Sequence, residues 1–128
     1  MVYTKSEEQV GLMKEAALLV SQTLTEVAKV IKPGMTTLDI DQFCMEFVKD
    51  HKGILSFYNY HGYPHHICAS VNDVVVHGFP NKTALKEGDL VSIDLGVILN
   101  GWHGDHAYTF ILGDVAPDIL QLVKVTKE

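Results

Sequence analysis

The sequence predicts an α/β chain of the α+β kind, with helices packed on an antiparallel sheet. Three observations carry that prediction. Apolar residues recur at helical spacing up to about residue 50, β-branched and aromatic residues dominate after Gly53, and an Asn-Gly dipeptide separates two long segments of alternating polarity. With 128 residues, 47% hydrophobic and 20% charged, the chain is long enough for one domain with its own core, and residues 1–128 are read as a single domain.

From Glu7 onward, Val10, Met13, Ala17, Val20, Leu24, Val27 and Ile31 fall on one stripe of a long amphipathic helix. Ser6 and Gln9 have the form of a capping box at its start, and Pro33-Gly34 closes it. A second helix opens at Thr36 or Thr37 and buries Ile40, Phe43, Cys44, Phe47 and Val48 before Gly53 supplies a stop. Its other face, with Asp39, Asp41, Glu46 and Lys49, is expected in solvent. Short strands are expected near Ile67 to Val71 and Val74 to Val76. Lys86 to Asp89 then turns into a strand from Leu90 to Leu99, and Asn100-Gly101 turns that strand back from Trp102 to about Leu112. Gly113 and Pro117 precede a third helix, Asp118 to Glu128. Its apolar positions Ile119, Leu122, Val123 and Val125 have little left to pack against, so the domain is expected to be cut within this helix.

Ten basic against sixteen acidic residues give a net charge of -6, and all ten basic residues are Lys. Without a guanidinium fork or a basic balance, nucleic acid is not an expected partner. No apolar stretch reaches the ~18 residues of a membrane span, and the polar N-terminus has no signal-peptide core, so no membrane partner and a cytoplasmic location are expected. Cys44 and Cys68 match no metal-knuckle spacing and are read as reduced, buried thiols.

The hairpin about Asn100-Gly101 sets Asp94 opposite Ala107 and Asp105 opposite Gly96. Both aspartates then project to the same face as diagonal neighbours, roughly 7–8 Å apart at the backbone. Two readings follow. The carboxylates lie on a solvated face or cap turns, or they converge on a cation that offsets their repulsion. Small Gly96 and Ala107 would clear space for the second, and oxygen donors suit Mn(II), Fe(II) or Co(II) better than a structural zinc site. His51, His65, His66 and His103 read as surface residues, and His106 falls on the face opposite the aspartates. His77 sits between an apolar run and the turn Gly78-Phe79-Pro80, a site that could hold its ring in place or leave it incidental. His61 lies in the aromatic loop Tyr58 to Pro64, which either lines an apolar cavity or covers the core.

These segments together resemble the N-terminal half of a type I methionine aminopeptidase. The resemblance is carried by Tyr60-His61-Gly62-Tyr63-Pro64, Cys68-Ala69-Ser70-Val71-Asn72, Val75-Val76-His77-Gly78-Phe79-Pro80, Leu85 through Asp94, and Gly101-Trp102-His103-Gly104-Asp105. It covers the chain from about Ser6 onward. It implies the N-terminal half of a pita-bread fold and, for the complete enzyme, metal-dependent removal of the N-terminal Met from nascent proteins and peptides. By the same resemblance Asp94 chelates one divalent metal and Asp105 bridges two, the metals being Co, Mn, Fe or similar. His77 serves as the catalytic residue, touching substrate at the scissile amide. Tyr60, His61, Tyr63 and Cys68 border the pocket for the Met side chain, and main-chain oxygens of Asn72 and Val74 hold a monovalent cation. Phe57 and Val76 stand where some relatives carry Cys. The family's remaining ligands, a His and two Glu, have no counterpart in this chain, so the 128 residues alone are expected to be inactive, to bind metal weakly, and to need the missing half of the fold or self-association. Two alternatives stay open: an X-Pro aminopeptidase or prolidase of the same fold, and a non-catalytic fragment or binding module whose open sheet edge takes a partner.

Overall fold

The computed structural model describes residues 1–128. Ser6 caps the first helix, α1 (Glu7–Val30), and the reciprocal bonds of the capping box are both present, Ser6 N to the Gln9 side chain at 2.9 Å and Gln9 N to the Ser6 hydroxyl at 3.2 Å. Thr36 and Asp39 repeat the device at the start of α2 (Thr37–Asp50). These caps satisfy amide donors that a helix start otherwise leaves without partners. Four strands follow: β1 (Ile54–Leu55), β2 (Cys68–Val71), β3 (Leu90–Leu99) and β4 (Trp102–Ile111). The last element is α3 (Pro117–Lys127).

β3 is the spine of the sheet. Along one edge it pairs antiparallel with β1 and β2, and along the other with the whole of β4. Asn100 and Gly101, at φ 51° and 79°, make the tight reversal whose twist matches the strands it joins. The resulting register pairs Asp94 with Ala107 and Gly96 with Asp105, as the dipeptide predicts. Val91, Ile93, Leu95 and Val97 point from β3 into a core closed by Leu19, Val20, Leu24 and Val27 of α1 and Ile40, Cys44 and Val48 of α2. The opposite face carries Ser92, Asp94 and Gly96.

Some expectations fail for identifiable reasons. Val74 to Val76 form no strand; they lie exposed in an irregular segment after β2, and it is Gly78, not this run, that meets the β2 edge, accepting from Ala69 N. The buried stripe of α1 begins at Ala16 and Leu19 instead of Val10, Met13 and Ala17, since the helix touches the sheet where Gly104 lets the Ala16–Ala17 backbone come close. Gly53 is not the permissive stop of α2: Lys52 takes the left-handed conformation, while Gly53 is small because a Cβ there would press into Leu19, Val48 and Val97. Asp41 is not in solvent but buried. No residue of α3 is buried.

Candidate active site

Asp94 and Asp105 reach the site from the two halves of the β3–β4 hairpin. They occupy diagonal positions on one face, and their carboxyl groups come within hydrogen-bonding reach of each other. Partial burial, and then the neighbouring Asp105 charge, push the Asp94 carboxyl from its ordinary 3.8 up to about 6, against the opposing influence of His77. The pair therefore retains a proton, or demands a cation, at a pH where isolated carboxylates are ionised. Between pH 4 and about 6 the folded chain holds a proton that the unfolded chain has released, so this group's contribution to stability falls as pH rises through that window. Denaturant unfolding of the metal-free protein at pH 5 and pH 7 should show a loss at the higher pH of up to about 1 kcal/mol relative to Asp94→Asn, after solvent screening of the half-exposed pair. Parallel pH profiles for the two proteins would contradict the coupling.

Cys68 stands on the other side of Asp94, paired with it across β2 and β3, and is buried. Burial raises the Cys68 thiol, the nearby Tyr63 hydroxyl works against it, and the charges of Asp94 and Asp105 add to the rise. The Tyr63 phenol is also driven up, chiefly by burial and then by Cys68. Its hydroxyl donates to Ile67 O at 2.7 Å. Both groups stay neutral, so beside the two carboxylates lies an uncharged surface of thiol and aromatic ring. Cys44 and Cys68 are free and buried, as the sequence predicts.

His77 takes the left-handed conformation, φ 57°. The segment after it is pinned to β2: Ala69 N donates to Gly78 O at 2.9 Å and Gly78 N to the Ser70 hydroxyl at 3.1 Å. A side chain on Gly78 would run into the Ala69 carbonyl, so only glycine permits this approach. His77 is thereby fixed beside Asp94 at the rim of a groove of about 990 Å³ that also takes in Ser70, Asn72, Ser92 and Ala107. Tyr60, His61, Tyr63 and Cys68 do not line that groove. Tyr60 and His61 stand exposed in a single 3-10 turn, where they cover no core, and the turn is closed by Tyr63 N donating to Tyr60 O at 2.9 Å.

Gly96 does not leave the open space that its size suggests. The Ser56 hydroxyl and the Phe57 ring fill the place where a Cβ would sit, whereas Ala107 is exposed and does keep its side open. Asn72 spends its side chain on the fold, accepting from Leu90 N at 2.9 Å and donating to Asp89 at 3.0 Å. Only its main-chain oxygen is left for a ligand. Val74 is exposed nearby.

His51 and His103 are exposed, and His106 is on the face away from the aspartates, all as expected. His65 and His66 are half-buried instead. The buried Asp41 accepts from His66 N at 2.8 Å, from His66 Nδ1 at 2.8 Å and from Ile67 N at 3.0 Å. Helical periodicity gave no sign of this, because the partners lie in a loop some two dozen positions away; the adjacent histidines just before β2 were the one available cue.

No cluster of three or more His, Cys, Asp and Glu side chains forms a metal-holding group. The two carboxylates, Asp94 with its raised proton affinity, are oxygen donors of the kind that suits a hard or borderline divalent cation.

The profile of metallopeptidase family M24 matches residues 11–128. A methionine aminopeptidase of Clostridium acetobutylicum is 43% identical over 129 residues, a match spanning all of this chain and 52% of the relative. The crystal structure of methionine aminopeptidase from Rickettsia prowazekii superposes with a TM-score of 0.97 at 39% identity, covering 99% of this chain and 51% of that one. An Xaa-Pro dipeptidase from Bacillus anthracis gives 0.81 over 97% of this chain at 17% identity, a likeness of fold alone. The chain spans about half the length of the curated relatives it matches. Its helices and antiparallel sheet are those of the N-terminal half of the pita-bread fold. With its full architecture and nearly all its residues matched, the chain belongs to metallopeptidase family M24.

Proposed function

We propose that the protein carrying these residues removes the N-terminal methionine from nascent polypeptides and peptides in the cytoplasm, using divalent metal ions of the Mn, Fe or Co class. The observation that carries the proposal is the convergence of Asp94 and Asp105 beside the neutral Tyr63 and Cys68, with His77 at the rim. Membership of the family implies divalent metals. Asp94 and Asp105 would hold them, Asp105 bridging two and Asp94 chelating one, and main-chain oxygens of Asn72 and Val74 would hold a monovalent cation. Bound divalent cations lower the pKa of a shared water towards neutrality and polarise the scissile carbonyl.

The chain's own residues do the rest. His77, fixed by the Gly78 contact, donates to the carbonyl oxygen as it gains negative charge. Tyr63, Cys68, Tyr60 and His61 border the methionine side chain, and an uncharged lining suits an unbranched thioether. Two carboxylates cannot complete a dinuclear site, so the 128 residues alone are expected to release no Met. β4 is paired only through β3, and its free edge is where the remaining half of the fold, or a second copy, would add. Neither nucleic acid nor a membrane is a proposed partner; no helix is long and apolar enough to cross a membrane.

The test is cleavage by the complete protein, with Mn(II), of a Met-Ala-Ser peptide against an X-Pro peptide. Release of Met that chelation abolishes is the expected result. Cleavage of the X-Pro peptide alone, or of neither, would overturn the proposal, and Met release by the isolated 128 residues would overturn the claim that they are inactive.

A further inference from the structure

We propose that Asp41, clamped to His66, is a positioning residue for the methionine side-chain pocket, an inference that rests on the reading of Tyr63 and Cys68 as walls of that pocket. Asp41 belongs to α2 and is 6% exposed. Burying a carboxylate is costly unless its oxygens are fully bonded. Here one oxygen accepts two main-chain amides, His66 N at 2.8 Å and Ile67 N at 3.0 Å, while the other accepts His66 Nδ1 at 2.8 Å. Since a carboxylate can only accept, Nδ1 must carry the proton.

All three donors lie in the short segment joining the aromatic loop to β2. Ile67, whose amide Asp41 holds, offers its carbonyl to the Tyr63 hydroxyl at 2.7 Å, and the next residue in the chain is Cys68. The far side of His66 is fixed by stacking on Tyr58, ring centroids 4.7 Å apart at 10°. Thus α2 is joined to both pocket walls through Ile67: its amide is held by Asp41, its carbonyl holds the Tyr63 hydroxyl, and its peptide bond leads directly to Cys68. None of these groups needs to touch a metal. Loss of the clamp should change how the pocket receives a side chain, while leaving the Asp94–Asp105 pair as it is.

The experiment uses the complete protein, with kcat and KM measured for Met-Ala-Ser and Leu-Ala-Ser peptides, Mn(II) affinity by titration, and melting temperature for each variant. Asp41→Asn should raise KM for the Met peptide about tenfold and narrow the preference for Met over Leu, with kcat and Mn(II) affinity changed less than about twofold. His66→Ala keeps both main-chain bonds to Asp41 and should raise KM about threefold in the same direction. His66→Asn can place an amide N–H where Nδ1–H stood, and should restore the wild-type KM. If Asp41→Asn does not fold, the two His66 variants decide the matter. A folded Asp41→Asn or His66→Ala protein whose KM and Met/Leu preference match wild type, or that loses kcat and Mn(II) affinity together, overturns the clamp. A wild-type protein that releases no Met overturns the underlying proposal first, and the clamp with it.

Discussion

Replacing Asp105 by Asn should reduce Met release by the complete protein about a thousandfold or more, which is the scale of the several kcal/mol that cation stabilisation of a transition state supplies. The effect originates in the hairpin. Asn100-Gly101 sets the register, the register puts Asp105 diagonally across from Asp94, and the two carboxyls meet closely enough to hold Asp94 at about 6. An amide at position 105 removes one anionic donor and also the repulsion it exerts, so Asp94 should fall back towards the ordinary carboxylate range, with only burial still raising it. Two readouts therefore move in opposite senses: metal-dependent kcat/KM collapses, while the metal-free protein loses part of its pH-dependent destabilisation between pH 5 and 7. Retention of activity within tenfold of wild type would show that Asp105 holds no essential cation.

Gly104→Ala should strongly destabilise the fold. A Cβ there would lie 2.7 Å from the Ala16 carbonyl and the Ala17 amide, which are main-chain atoms of α1 and cannot rotate away. The helix must lift from β4, and because Leu19, Val20, Leu24 and Val27 reach the core from the same helix, the whole interface loosens. The expected cost is about 3 kcal/mol, at the upper end for overpacked sites. Gly11→Ala is the matched control: nothing lies within 4 Å of the added methyl, and in the middle of a helix it should stabilise by roughly 0.5–1 kcal/mol. Denaturant midpoints for the two variants should move in opposite directions. A Gly104→Ala protein as stable as wild type would mean that α1 does not seat on this glycine.

The hairpin was the most legible feature in the sequence, because turn chemistry and side-chain alternation each fix a register and the two agree. The helices were legible to within a residue at most ends, since Ser6, Thr36 and Pro117 mark starts by local bonding or by a fixed φ. Long-range choices were not. Whether Val74 to Val76 becomes a strand depends on which residues come to lie along β2, and in the fold that place goes to Gly78. The phase of α1 was set by a glycine some ninety positions away, and the burial of Asp41 by amides in a loop it does not neighbour in sequence. In the candidate site, the meeting of Asp94 and Asp105 followed from alternation. That the Tyr63 hydroxyl is held by Ile67 O and that Gly78 pins His77 followed only from the fold.

The most direct test is anomalous diffraction from crystals of the complete protein grown with Mn(II). Anomalous peaks should lie about 2.0–2.6 Å from carboxylate oxygens of both Asp94 and Asp105, with Asp105 shared between two of them. Manganese bound elsewhere, or the two carboxyl groups turned to separate surroundings, would contradict the account.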